Sequence, residues 1–277
     1  MDAILSQMEG PEGALILIEA LGVLGNALRQ QGFYRAAEPV LRRAIEIAEQ
    51  DPNPDALPGA LNKFGMLCKY AGRFEEGAVV YARALALVQE RHGEMHPMAA
   101  TLYHNIGGLD HARGTFAAGE PPARRAWEIR RELLGDEHPD TLADACAHGG
   151  LLDGLGRHAE SKAIYLRALA VYERLYGPEH FEVAATLHNL AAAEALEDGA
   201  AAERCYRRAL AIKGKLLGED HPEWGLTANN LAVLLNERGQ REEAARLLQQ
   251  AAAVMDARLE TGHPLRELTR ANLARSG

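Results

Sequence analysis

Apolar residues in this chain recur three and four positions apart, in stretches of roughly fifteen residues, which is the spacing of one buried face of an α-helix. The stretches TLHNLAAAEAL (Thr186–Leu196) and AIYLRALAVYERLYG (Ala163–Gly177) show it clearly. Glycine punctuates the pattern. Gly32, Gly72, Gly114, Gly156 and Gly239 follow the first stretch of each pair, and glycine accepts the left-handed backbone that stops a helix. A second glycine and a His-Pro step close the second stretch, as at Gly177 and His221-Pro222. Proline suits the first position of the next helix, where its missing N–H has no partner to lose. Helices this long joined by turns this short pack antiparallel.

The pairs repeat. His-Pro or a close variant stands at Asn53-Pro54, His96-Pro97, His138-Pro139, His180-Phe181, His221-Pro222 and His263-Pro264, at steps of 43, 42, 42, 41 and 42 residues. Arg43-Ala44, Arg83-Ala84, Arg125-Ala126, Arg167-Ala168 and Arg208-Ala209 keep the same step, with Gln250-Ala251 as the sixth copy. The fifth unit has Asp198-Gly199 at its centre and is one residue short. Independent markers locked to one period predict a repeat architecture. A single hairpin cannot bury its apolar face, whereas stacked hairpins share one continuous core. The expected fold is all-α: a right-handed superhelical solenoid over residues 1–277, with about six units and a capping helix. The expected units are approximately 12–50, 51–93, 94–135, 136–177, 178–218 and 219–262, with the cap at 263–277. Pro121-Pro122 are expected to delay the helix that follows Gly114, giving that hairpin the longest and loosest turn.

Composition narrows the chemistry. The net charge of −9 argues against a phosphate-binding face, so nucleic acid is not an expected partner. Cys68, Cys146 and Cys205 are far apart and odd in number, which fits a reducing compartment, and a cytoplasmic location is expected. The first residues are acidic rather than basic, and the apolar run Ala14–Leu24 carries Glu19 and is too short to span a membrane. The histidines of the His-Pro steps lie one to a turn, too far apart to share a metal ion, and read as helix-entry residues. No nucleotide-binding or hydrolase motif is present. The expectation is a non-enzyme with no cofactor and no metal.

The spacing Leu-x-x-Phe-Gly-x-x-Cys-x-x-x-Gly over Leu61–Gly72, followed by Tyr81 and Ala84-Leu85, resembles the tetratricopeptide repeat. Each unit is longer than the usual one of that family. Its length, with LHNLAAA (Leu187–Ala193), YRRALAIKGKLLGEDHP (Tyr206–Pro222) and NNLAVLLNERGQREEAARLL (Asn229–Leu248), is similar to the kinesin light chain type of repeat. The resemblance covers about residues 12–277. It implies a solenoid whose first helices line a concave surface, with a ladder of asparagines gripping a partner's main chain.

That role falls on Asn105, Asn189 and Asn230, one site in three units, with Asn62 one helical position earlier. Asparagine is a poor helix former and has no packing reason to recur there. Its amide offers donors and an acceptor that suit an extended peptide; alternatively, the same amides bond neighbouring helices and stabilise the stack. His104, Cys146, His188 and Asn229 stand beside them and are expected to tune what the groove accepts. The fourth unit has Ala147 in place of asparagine and Gly149-Gly150 beyond it, either a pocket for a bulky side chain or drift. The expected function is an adaptor or scaffold holding a segment of another protein or a peptide, with Lys or Arg in that segment favoured by the acidic chain. The alternatives are a regulatory sensor that changes shape on binding a short peptide or small ligand, and a homo-oligomeric structural module.

Overall fold

The computed structural model describes residues 11–51 and 53–276; the acidic start lies outside them. Among the described residues there are thirteen α-helices and no strand, an all-α repeat fold. The chain divides into two compact units, residues 1–135 and 136–277.

The first unit holds three antiparallel hairpins: α1 (Pro11–Gln30) with α2 (Tyr34–Gln50), α3 (Ala56–Tyr70) with α4 (Phe74–His92), and α5 (Pro97–Arg113) with α6 (Phe116–Leu134). The second holds α7 (Pro139–Gly154) with α8 (His158–Tyr176), α9 (Phe181–Glu194) with α10 (Gly199–Leu217), and α11 (Pro222–Glu237) with α12 (Arg241–Arg258). A last helix, α13 (Pro264–Ser276), packs on α11 and α12.

The markers of the sequence each have a physical task. In His96, His138, His180 and His221 the imidazole Nδ1 accepts the backbone N–H two residues on, at 3.2, 3.2, 3.2 and 3.1 Å. Each caps the helix it opens, satisfying one of the donors that a helix start leaves open. His263 does the same for α13 at 3.1 Å. The alanines of the Arg-Ala pairs are sealed in the core, each no more than 1% exposed. Their arginines reach carboxylates: Arg83 to Glu49, Arg125 to Glu94, Arg167 to Asp136 and Arg208 to Glu173. These are surface pairs, each worth no more than about 1 kcal/mol. At the turn of the fifth hairpin, no left-handed residue is used. There the Asp198 carboxylate accepts the N–H groups of Ala200 and Ala201, both at 3.0 Å.

Within each hairpin one side chain of the second helix fills a gap in the first. The pairs are Gly25 with Leu41, Gly65 with Tyr81, Gly107 with Ala123, and Gly149 with Tyr165. Ala191 and Tyr206, and Ala232 and Leu248, hold the same places in a shared cluster. A Cβ on Gly65 would come within 2.5 Å of the Tyr81 ring, so the ring requires the glycine. Tyr81 is fully buried and its hydroxyl has no hydrogen-bond partner among the described residues. Burial pushes its pKa up, because a phenolate there would be unsolvated. Tyr81→Phe removes the unpaired hydroxyl and leaves the ring, so it should raise the unfolding free energy by about 1 kcal/mol. Urea denaturation at neutral pH measures it, and a loss of stability would show that the hydroxyl is bonded.

The Pro121-Pro122 expectation requires correction. Helix α6 begins at Phe116, five residues before the first proline, and the turn after Gly114 is no longer than those after Gly72 and Gly156. The prolines lie on the second turn of α6. Each proline forfeits the bond its N–H would have made to the carbonyl four residues back, at Ala117 and Ala118, and α6 is held there by its packing on α5.

Candidate functional site

The first helix of each hairpin presents a stripe of partly exposed residues at spacings of four, three and four, which lie on one face of a helix. In the second unit the stripe reads Ala143, Ala147, Gly150 and Gly154 on α7, then Ala185, Asn189 and Ala192 on α9, with exposed Leu196 just past its end. On α11 it reads Leu226, Asn230, Val233 and Glu237. In the first unit it reads Gly59, Lys63, Met66 and Tyr70 on α3, and Thr101, Asn105, Gly108 and Ala112 on α5. Lys63 lies over Gly22 and Lys69 over Gly108, so the first unit's face carries cationic heads and long stems. The second unit's face carries small residues on α7 and α9, two amides, and Leu226, Val233 and Glu237 on α11.

The asparagines are mostly engaged with each other. Asn105 Nδ2 donates to Asn62 Oδ1 at 2.7 Å. In the second unit, Asn272 Nδ2 donates to Asn229 Oδ1 at 3.0 Å, and Asn229 Nδ2 donates to Asn230 Oδ1 at 3.1 Å. Asn230 Nδ2 in turn meets His188 Nε2 at 3.3 Å. The bond from each helix to the previous one spans 42 or 43 residues, one repeat. The amides therefore tie successive first helices together, as the second of the two readings of the sequence anticipated. Asn229 is 1% exposed, and both its amide oxygen and its amide nitrogen take part in this chain of bonds.

His188 is enclosed by the same network. Its Nδ1 stands 3.1 Å from Thr227 Oγ1, whose own hydroxyl donates to the Glu223 carbonyl at 3.0 Å. Tyr206 packs edge-on against the imidazole, ring centres 5.4 Å apart, and bonds Asn230. Burial lowers the His188 pKa to about 4, and the Lys213 ammonium adds to the effect. Lys213 is itself 2% exposed and pairs with Glu223 at 2.8 Å.

Two expected residues differ from this scheme. Cys146 occupies the place that would receive the Asn189 amide. It bonds Thr186 instead, and burial holds its thiol up at about 12. Asn189, partly exposed, is thereby left with no side-chain hydrogen bond among the described residues. His104 is partly exposed beside Asn105. The sequence reading missed Asn272, which lies 42 residues after Asn230 and could have been found from the period alone. It also missed Thr227, Tyr206 and Lys213, whose part depends on pairing in space. Among the described residues no group of three His, Cys, Asp or Glu side chains could hold a metal ion. Nor is any helix long and apolar enough to cross a membrane.

Known proteins place this arrangement. Models of the tetratricopeptide repeat match residues 17–50 and 99–140, and also 145–213 and 192–257. No curated protein sequence matches. Among solved structures, a Podosopora anserina protein of nearly identical kinesin light chain-type TPR-like repeats is 22% identical. It aligns over 73% of this chain and 95% of its own, with a TM-score of 0.57. BtubC from P. vanneervenii is 23% identical over 83% of this chain and 91% of its own, at a TM-score of 0.59. NprR, solved with its cognate peptide NprX, is 16% identical over 94% of this chain and 71% of its own, at 0.68. At these identities the likeness is one of fold. The repeat models span more than half of the chain, and the protein belongs to the tetratricopeptide repeat family.

Proposed function

We propose that this protein is a binding scaffold that holds an extended peptide segment of a partner protein along the first-helix face of its second unit. The observation that carries the reading is Asn189. It is the one member of the asparagine set whose amide is unspent. It stands between the small-residue stripe Ala143, Ala147 and Gly150 on one side and Leu226 on the other. A free amide can accept and donate to a peptide main chain, and stripes of alanine and glycine let that chain approach closely. NprR, solved with a peptide, and a Rap protein, solved with the Competence and Sporulation Factor, share the fold and support the class of ligand. Asn230 then holds that face in shape, while Cys146, His188 and Asn229 support it from beneath or beside; Asn62, His104 and Asn105 hold the corresponding place in the first unit. Because the second unit's face has few charges, peptide polarity is read at its ends rather than along it.

A displayed library of random linear peptides tests this directly. The wild-type protein should enrich binders that Ala147→Trp excludes by filling the stripe. Asn189→Ala should weaken them by about 1 kcal/mol, the worth of one exposed amide contact. Both variants should keep wild-type helicity and melting temperature, since neither side chain is bonded within the fold. Binders that survive both substitutions, or no enrichment at all, would remove this face as the working surface.

A further inference from the structure

Within each unit, the first helix of a later hairpin is covered on one side by the hairpin before it. The residue just ahead of the gap position shows this, since Phe64 on α3, Leu190 on α9 and Leu231 on α11 are all buried. Phe64 packs with Leu41, Leu190 with Tyr165 and Leu231 with Tyr206, each from the preceding second helix. Four residues earlier, Ala60, Thr186 and Thr227 are buried as well. On α1 the same two places are Leu24, 49% exposed, and Ala20, also exposed. Beside them Ile16 is 62% and Val23 67% exposed, and Leu17 is half-buried. In the second unit, α13 covers the last hairpin and carries exposed Glu267, Arg270 and Arg275, the polar outer face that a terminal element of a repeat stack needs. Helix α1 presents a stripe of aliphatic side chains instead.

We infer that this face is a two-fold contact between two copies of the chain, with α1 of one lying antiparallel across α1 of the other at Ala20. The stripe itself assigns the occupant. It reads alike in both directions from Ala20, with Leu17 and Val23 three residues away and Ile16 and Leu24 four residues away. A two-fold contact requires such a surface, because if residue i meets residue j of the other copy, j must also meet i. Ile16 then packs on the partner's Leu24 and Leu17 on the partner's Val23, while the small Ala20 at the axis lets the two backbones approach. Glu19 is the one ionisable residue from Gly13 to Leu28, and it lines the cavity toward α3 together with Lys63. A chain of net charge −9 repels its own copies over most of its surface, so a face without charge is where two copies can meet. An unrelated partner would find no charge here to select it and would have no use for the symmetry. Five side chains per copy fall short of the roughly 20–30 residues a side of a standard interface, so the dimer is weak, with a Kd of about 10–100 µM.

Sedimentation equilibrium of the full chain from about 1 to 300 µM, which spans that Kd, should show the mass rising from one copy toward two. Ile16→Glu and Leu24→Lys should each weaken association at least about tenfold, because each puts two charges into the two-fold contact. Both positions are exposed, so circular dichroism should show wild-type helicity in each variant. Mixing the two variants tests the register. One new carboxylate then faces one new ammonium across the axis, while the second Ile16–Leu24 pair keeps its aliphatic contact. The mixture should therefore associate more tightly than either variant alone. Val79→Glu, on an exposed part of α4 outside the face, should leave the mass curve unchanged. A monomer at every concentration overturns the inference and leaves the face to another segment of this chain or to another protein. A dimer that survives both single substitutions overturns it too, as does a mixture that associates no more tightly than its parts.

Discussion

Tyr165→Ala should lower the unfolding free energy by about 3–5 kcal/mol, the cost of emptying a large aromatic site that cannot collapse. The ring is 1% exposed and packs on Leu190 and Ala193 as well as in the gap at Gly149. Those neighbours belong to helices of two successive hairpins, so the loss reaches the contact between them and not only one hairpin. The opposite error should be as costly in the third hairpin. There the second-helix residue has shrunk to Ala123, and a Cβ at Gly107 would stand 2.8 Å from its Cβ and 3.2 Å from its backbone N and Cα. Backbone cannot rotate aside as a tyrosine can, so Gly107→Leu should cost about 3 kcal/mol through forced separation of α5 and α6. Gly59→Ala supplies the contrast. No atom lies within 4 Å of its would-be Cβ and it sits inside α3, so alanine should add about 0.5–1 kcal/mol through helix propensity alone. Urea midpoints of the three variants check the set. A mild Gly107→Leu would mean that the hairpins are loosely apposed and that the glycines are not there for closeness.

Those three positions show how far the sequence could be read. The period, the hairpins and the His-Pro helix starts were legible because each depends on local rules: glycine at a left-handed turn, proline at a first position, a side-chain acceptor before it. The identity of the partner across a gap was not legible, because Gly107 and Gly149 look alike in sequence and face Ala123 and Tyr165. The asparagines were half legible. Their recurrence announced a common task. Whether an amide is turned to a neighbour or left open depends on the residue one repeat back, where Asn62 accepts and Cys146 does not. The placement of Pro121-Pro122 failed for a related reason: a local penalty was judged without the hairpin contact that holds α6 against α5 from Phe116 onward.

Acidification from pH 7 to pH 5 should cost about 2 kcal/mol of stability through His188 alone. The hydrogen-bond network fixes its tautomer. Thr227 gives its hydroxyl proton to the Glu223 carbonyl and so can only accept from His188 Nδ1–H, which leaves Nε2 as the acceptor for the Asn230 amide. A second proton would set N–H against NH2. Turning Asn230 over would face its carbonyl to the imidazolium, but would set its NH2 against that of Asn229. Burial and the adjacent Lys213 ammonium oppose the charge as well, and the Glu223 carboxylate only partly offsets them. The folded pKa of about 4 lies below the unfolded value, so between the two the unfolded chain binds a proton that the folded chain refuses. Stability is therefore complete above about pH 6.5 and is lost progressively as pH falls toward 4. Glu223 and Glu243 are held below the usual carboxylate range by Lys213 and Arg207, so these two do not mask the effect above pH 5. His188→Gln keeps an acceptor for Asn230 and a donor for Thr227 without a titrating group. Its urea midpoint should fall less than that of wild type between pH 7 and pH 5, and the difference isolates His188 from His263, which is also lowered by burial. Parallel pH profiles would mean that the imidazole carries its proton into the fold, and that the amide chain linking α9, α11 and α13 is arranged around a cation.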